Sequence, residues 1–493
     1  MASSLPIPAV GSTHSPHMVL FPFMSKGHTI PLLHLARLLV NRGSMVTVFT
    51  TKANHPFIAQ FLETCPHGSI SILDLNFPND VEGVPQGIES TDKLPSIALF
   101  RQFGVATKLM QPQFEEYLDN LPNVTCIISD GFLSWTLASA NKFGIPRLSF
   151  YGMNAYSSAV SRDVGLNLWG PDSDDELITV PGFPWIKVTR NDFDKPFNQR
   201  DPTDPLFDFL TESLIATANS YGLIMNSFYE VEPLFIDYLN GEAKPKIWCV
   251  GPLCLVEAPA TTDNKQTNAP SNISIPSTKP KAPEWIEWLD QKLAKGISVL
   301  YVAFGSQAEI SIQQMEAISK GLEQSEVSFL WVVRKGDQTG ILDELEQRVG
   351  ERGMIVKRWV NQMEILSHKS VNGFVSHCGW NSVLESICSG VPILAWPMMA
   401  EQHLNARMVV EEIKIGLRVE TCDGSVKGFV KPDGLKKMVK ELMEGEKGKE
   451  IRKKVKEVGA AAKRAMADDG SSWRTLNQLI NELQTDKTFI ISE

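Results

Sequence analysis

His28 follows the apolar run HMVLFPF through the short loop MSKGH, and Asp130 directly follows VTCIIS. An imidazole with a pKa of about 6.5 can take up a proton at neutral pH. A carboxylate behind it fixes the tautomer and stabilises the imidazolium. The two residues are far apart in the chain. They can act together if both apolar runs are strands of one parallel sheet, which puts both residues on its carboxyl rim. On these residues alone, a loop histidine satisfied by ordinary hydrogen bonds remains an open reading.

A second chemistry lies near the other end of the chain. The run VNGFV is followed by the turn SHCGW and by a helical pattern starting near Asn381. A helix N-terminus presents unpaired N–H groups and a partial positive charge, so it can bind phosphate without a cation. Gly379 lets the backbone approach closely, His377 adds a donor, and Asn381 and Ser382 sit on the first turn. The arrangement has the form of a diphosphate cradle. In isolation, Ser382 and Glu385 read first as a capping box.

Both sites need strands that end in one place. Strand candidates in the first half are 17–23, 45–51, 70–75, 124–129, 146–151 and 223–225. In the second half they are 297–304, 328–333, 354–357, 371–375, 391–395 and 416–419. They alternate with helical patterns, which argues for parallel, doubly wound α/β sheets. Each half opens with strand, glycine-containing loop and helix. In the first, Leu32, Leu35, Ala36 and Leu39 form one stripe of a helix beginning after Thr29. In the second, Ser311 and Gln314 fit a helix start.

A chain of 493 residues exceeds what one core usually organises. The Pro-, Ser-, Thr- and Asn-rich stretch 258–281 reads as a linker between two domains. The expected division is 1–257, the linker, 282–470, and a last helix within 471–493 that could return to the first domain. Two Rossmann-like domains then face each other across a cleft. Neither opening loop carries GxGxxG, and neither a P-loop nor a GxSxG elbow is found. Nicotinamide, kinase and serine-hydrolase chemistries lose support accordingly.

The formal net charge of −10 disfavours a nucleic-acid partner. The basic stretch Lys447–Arg464 is interleaved with Glu450 and Glu457 and reads as a solvated helix face. Seven cysteines without a CxxC pair suggest reduced, mostly buried thiols. No apolar run is long enough for a membrane span, and the N-terminus lacks a secretory pattern, so a cytoplasmic monomer is expected. Asp172, Asp174 and Asp175 could suggest a metal-dependent sugar transferase. Their polar setting, away from any strand end, favours a solvated loop, and no metal is expected.

The whole string from Trp359 to Gln402, WVNQMEILSHKSVNGFVSHCGWNSVLESICSGVPILAWPMMAEQ, closely resembles the signature of plant secondary-product UDP-glycosyltransferases. SVLYVAFGS, GLIMNSFYEVEP, KIWCVGPL, FMSKGHTIPLLHLA and ISDGFLSW match the same family's pattern, so the resemblance covers nearly all the chain outside the linker. It implies the two-domain GT-B type of fold. It implies that Trp359 stacks on uracil while the Val360 backbone meets the base edge. Gln362 and Glu385 would reach the ribose, and Ser306, His377, Gly379, Asn381 and Ser382 the diphosphate. Trp380, Glu401 and Gln402 would address the sugar. His28 would be the general base and Asp130 its orienter, in one inverting displacement that gives a β-glycoside.

Departures from the pattern are Val360 and Asn361, where the family usually has Ala-Pro, and Asn361 is expected to loosen the turn. Glu401 stands where Asp is also common, and Gln402 favours UDP-glucose. The acceptor, a small lipophilic molecule such as a phenolic, flavonoid or terpenoid, should meet Phe23, Phe132, Leu133, Tyr151, Met153, Asn154 and Tyr156. A catalytically silent nucleotide-sugar or small-molecule binder of the same fold is the alternative. The presence of His28, Asp130, Glu401 and Gln402 weighs against it.

Overall fold

The structure is a computed structural model and describes residues 15–165, 174, 176–199, 203–242, 244–256, 282–333 and 340–485. The expected linker 258–281 lies outside the described residues, as do Asp172 and Asp175.

The strands are β1 His17–Phe21, β2 Met45–Thr51, β3 Ile70–Leu75, β4 Val124–Asp130, β5 Arg147–Tyr151, β6 Ile178–Val180, β7 Phe183–Val188, β8 Gly222–Met225, β9 Lys246–Cys249, β10 Val299–Ala303, β11 Ser328–Val332, β12 Gly353–Val356, β13 Val371–Ser376, β14 Ile393–Ala395 and β15 Gly416–Arg418. Seven of them make a parallel sheet in the order β3-β2-β1-β4-β5-β8-β9, and six make a second in the order β12-β11-β10-β13-β14-β15. β1 and β10 are buried along their whole length, as continuous apolar runs covered on both faces should be. β9 and the antiparallel hairpin β6–β7 are additions to the strands expected from sequence. β9 is only four residues long and begins on an exposed lysine, which leaves little periodicity to read.

Strand order reverses between β1 and β4 in the first sheet and between β10 and β13 in the second. Ligands of open α/β sheets bind at such switch points, beyond the carboxyl ends of the strands. His28 lies after β1, and Asp130 ends β4. The turn containing Ser306 follows β10, and His377 follows β13.

The helix after β1 starts at Lys26, three residues before Thr29, so His28 sits in its first turn. Pro31 within that helix has no N–H to give to the Gly27 carbonyl one turn back. Asn381 of the second domain supplies the missing donor, its Nδ2 lying 2.7 Å from that oxygen. Other cross-domain bonds run from Gln307 Nε2 to Thr91 Oγ1 (2.8 Å), from Trp380 Nε1 to the Asn226 carbonyl (2.8 Å) and from Arg407 to Asp192 (2.8 Å).

The chain also crosses back. The helix Ser471–Thr485 buries Leu476, Leu479, Ile480 and Leu483 in the same core as Leu20, Val46 and Trp248 of the first sheet. Before it, the helix Glu446–Met466 lies on Trp380–Ser389, the helix that opens with the expected cradle. A Cβ at Gly459 would come within 2.4 Å of the Ile387 carbonyl, so only glycine permits this approach.

Candidate active site at the facing switch points

His28 Nδ1 lies 2.7 Å from Asp130 Oδ2. The other carboxylate oxygen, Oδ1, accepts the Phe132 N–H at 3.0 Å. Asp130 is fully buried, whereas the His28 side chain keeps 26% exposure, so the ring has a path to a ligand. With Nδ1 engaged, Nε2 is the nitrogen left to face one. Burial works to lower the His28 pKa, but the Asp130 charge and hydrogen bond, helped by Glu401, outweigh it and hold the pKa above 6.5. Beneath them lies the buried guanidinium of Arg147. It donates to Ser129, Thr136 and Ser220 hydroxyls and, at 3.3 Å, to the Asp130 carbonyl. Burial lowers Arg147 only to about 10, so it stays cationic behind the pair.

Aromatic rings wall the histidine. Phe132 and Phe23 stand 5.3 and 5.8 Å from the imidazole, centre to centre. Phe100 packs on both, and Phe209 stacks on Phe132 at 6.0 Å. Phe100 and Phe209 were not apparent from the sequence, because distant segments bring them here. The Tyr151 ring lies on Gly131, where a Cβ would come within 2.0 Å of it, and meets Phe132 edge-on. Leu133 is buried in the core beneath Phe23, and Met153 packs half-buried against the other core.

Asn154 and Tyr156 do not join this wall. Asn154 caps a helix by accepting from Ser157 N and donates across the domains to Asn405 at 2.9 Å. Tyr156 is wholly buried against Phe235. Both were expected among the residues lining the acceptor pocket. Asn154 is thus engaged by the other domain and Tyr156 by Phe235 of its own.

On the second domain, Gly379 precedes the helix Trp380–Ser389, which has no side-chain cap. The capping-box reading of Ser382 and Glu385 therefore fails. Ser382 lies inside the first turn, and both side chains accept from Gln362 Nε2, at 2.8 and 2.6 Å. Tyr301 donates to Gln362 Oε1 at 3.2 Å and completes the cluster. Burial pushes Glu385 up to about 7, against the Gln362 hydrogen bond.

The His377 ring lies between two glycines. A Cβ on Gly305 or Gly379 would sit 2.7 or 2.6 Å from its Nε2. Burial lowers His377 to about 4, against a hydrogen bond to the Ala303 backbone, so the ring is neutral at physiological pH. Ser306 is exposed in the turn after β10.

Trp359 is 58% exposed, with the Lys26 ammonium 5.3 Å from its ring centre, while Val360 beside it is buried. Asn361 does not loosen this turn. Its φ of −76° is one proline would take, and its side chain accepts from Glu364 N at the start of the next helix.

Toward His28, burial raises Glu401 above its ordinary carboxylate value, with the nearby imidazole opposing. Gln402 Oε1 accepts the Met398 and Met399 N–H groups, both at 3.1 Å, which leaves its amide nitrogen to donate. The Trp380 side chain cannot meet a sugar, since it is buried and its indole N–H is given to the Asn226 carbonyl. Only its backbone N–H, on the helix's first turn, remains for a ligand. Asn226 is a residue the sequence reading passed over within GLIMNSFYEVEP. It holds Trp380, and its Nδ2 reaches Asn381 Oδ1 at 3.3 Å.

Among the described residues no His, Cys, Asp and Glu side chains gather as a metal site, and no helix is long and apolar enough to cross a membrane. Asp174 instead pairs with Arg190 at 3.0 Å.

The family model for UDP-glucoronosyl and UDP-glucosyl transferase matches residues 245–452. UDP-glycosyltransferase 90A1 of Arabidopsis thaliana is 53% identical over 96% of this chain and 97% of its own length. UDP-glucose flavonoid 3-O-glucosyltransferase 7 of Fragaria ananassa is 34% identical over 95% of this chain and 96% of its own. Among solved structures, Phytolacca americana UGT2 complexed with UDP-2fluoro-glucose and pterostilbene superposes with a TM-score of 0.76 at 28% identity. That match covers 96% of this chain and 100% of the other.

Proposed function

The chain belongs to the UDP-glycosyltransferases of plant secondary metabolism, and from that premise we propose that it moves glucose from UDP-glucose to a hydroxyl of a small lipophilic acceptor with inversion. A phenolic, flavonoid or terpenoid suits the aromatic wall around His28. The observation that carries the reading is the His28–Asp130 hydrogen bond of 2.7 Å at one switch point, with Glu401 facing it from the other domain. His28 Nε2 takes the acceptor proton, and the oxygen attacks the anomeric carbon as UDP leaves. Asp130 keeps Nδ1 protonated and stabilises the imidazolium. The helix N-terminus, Asn381, Ser306 and neutral His377 meet the charge growing on the diphosphate.

Uracil would stack on Trp359, with the ribose at Glu385 and Gln362. Glu401 and the Gln402 amide would hold sugar hydroxyls, and the backbone N–H of Trp380 is the part of that residue able to help. Glucose as the sugar is supported by Gln402 and by two relatives. One is named for UDP-glucose and a flavonoid, and the other was solved with a fluoroglucose nucleotide and a stilbene. The reading includes no metal: helix N–H groups and neutral side chains would contact the diphosphate, and a protein cation can supply the remaining charge.

The test is purified protein offered UDP-glucose, UDP-galactose or UDP-glucuronate with a panel of phenolics and terpenoids, with and without exhaustive chelation. β-Glucosides formed from UDP-glucose in chelator support the reading. A preference for glucuronate, or activity that only Mg²⁺ or Mn²⁺ restores, contradicts it.

A further inference from the structure

The expected diphosphate site is short of positive charge. On the second domain it offers helix N–H groups, the Asn381 amide, the Ser306 and Ser382 hydroxyls and the His377 ring, which burial keeps neutral. A helix end contributes about half a charge, while a nucleoside diphosphate carries more than one.

The first domain brings a cation to this place. Lys26 opens the helix Lys26–Asn41, one residue before Gly27, whose carbonyl is bonded by Asn381 of the cradle at 2.7 Å. Its ammonium lies 5.3 Å from the Trp359 ring centre and 5.5 Å from that of Phe57. Many other lysines are matched to carboxylates, such as Lys108 to Glu212, Lys142 to Glu115 and Lys246 to Glu482. Lys26 is half-buried, and among the described residues no carboxylate pairs with it. Its flexible stem and three donors suit a phosphate as a point charge.

We propose that Lys26 is a nucleotide-binding residue supplied by the acceptor domain, its ammonium leaving the indole face to pair with the diphosphate once a base stacks on Trp359. The proposal rests on the reading of Trp359 and the Trp380–Ser389 helix as the UDP site. It has a mechanical consequence. Lys26 stands two residues from His28 on one helical turn, so its ion pair ties the base's own helix to the bound donor. Charge accumulates on the diphosphate as the glycosidic bond breaks, so the pair strengthens along the reaction.

Calorimetric titration of uridine and UDP into the wild type, Lys26→Met and Lys26→Arg tests it. Lys26→Met should weaken UDP roughly ten- to a hundredfold, as removal of a charged hydrogen bond does. It should leave uridine within about twofold, which also reports an intact fold. Salt should weaken UDP binding to the wild type more than to Lys26→Met, and Lys26→Arg should restore most of the affinity. An equal loss for uridine and UDP would overturn the proposal, because Lys26 would then only support Trp359. Unchanged UDP affinity in Lys26→Met overturns it too. A wild type that binds neither ligand sinks the underlying site reading, a result distinct from both.

Discussion

Asn381 Nδ2 lies 2.7 Å from the Gly27 carbonyl, the oxygen that Pro31 leaves without its helical partner. A side chain expected to hold the donor's diphosphate thus also fastens its helix to the turn that carries His28. Asn381→Ala removes both contacts. UDP affinity should fall roughly tenfold or more, since a hydrogen bond to a charged group is worth about 1.5–3 kcal/mol. Titration calorimetry measures it, and affinity within twofold of wild type would exclude Asn381 from the cradle.

The acid limb of the rate profile should report His28. Burial pulls its pKa down, while Asp130 and Glu401 raise it further, so the net value lies above 6.5. Only the neutral ring is a base. kcat/KM should therefore fall as pH drops through a midpoint above 6.5. Asp130→Asn removes the main raising charge and leaves burial, so the midpoint should move down while the plateau rate also drops. A midpoint that stays put in Asp130→Asn would mean another group sets the limb.

Uridine binding should depend on pH for a different reason. Glu385 is raised to about 7 by burial, and in the proposed site its ionised form is the better acceptor for two ribose hydroxyls. Affinity should weaken as pH falls through about 7, by less than tenfold per unit because the neutral carboxyl keeps one acceptor oxygen. Glu385→Gln should bind more weakly at pH 8 and lose most of the dependence. An unchanged dependence in that variant would place the titrating group elsewhere.

Much of this site could be read in the chain because it is local. The turn SHCGW before a helix and the Gly-His after the first strand each offer a candidate site within a few residues. Strand ends of a parallel sheet then bring His28 and Asp130 to one rim. What the sequence hid depends on long-range packing. Phe100 and Phe209 reach Phe132 from separate helices, and Tyr301 reaches Gln362 from the strand β10. Asn154 is drawn to the other domain by Asn405, while Tyr156 packs on Phe235 of its own domain. The helix start at Lys26 was obscured because Pro31 ordinarily marks a first turn. Here a residue of the other domain satisfies the carbonyl it leaves free.

Gln402 should separate sugar from nucleotide. Its Oε1 is held by two backbone N–H groups, so the amide nitrogen is the part that can reach a sugar hydroxyl. Gln402→Ala should slow glucosyl transfer and erode the preference over UDP-galactose, with UDP affinity nearly intact. A matching loss of UDP affinity would show that the residue supports the whole pocket.

The central claim is that His28 takes the acceptor proton, and His28→Ala tests it most directly. Transfer to a weakly acidic alcohol and UDP affinity should be measured on the same preparation. The proposed nucleotide site draws mainly on the second domain, so UDP affinity should stay within about twofold. The transfer rate should fall by roughly 10²–10⁴, the usual range for losing a general base. A more acidic phenol, already partly ionised, should lose less. Unchanged turnover of the weakly acidic alcohol, with UDP still bound, would show that some other residue takes the proton.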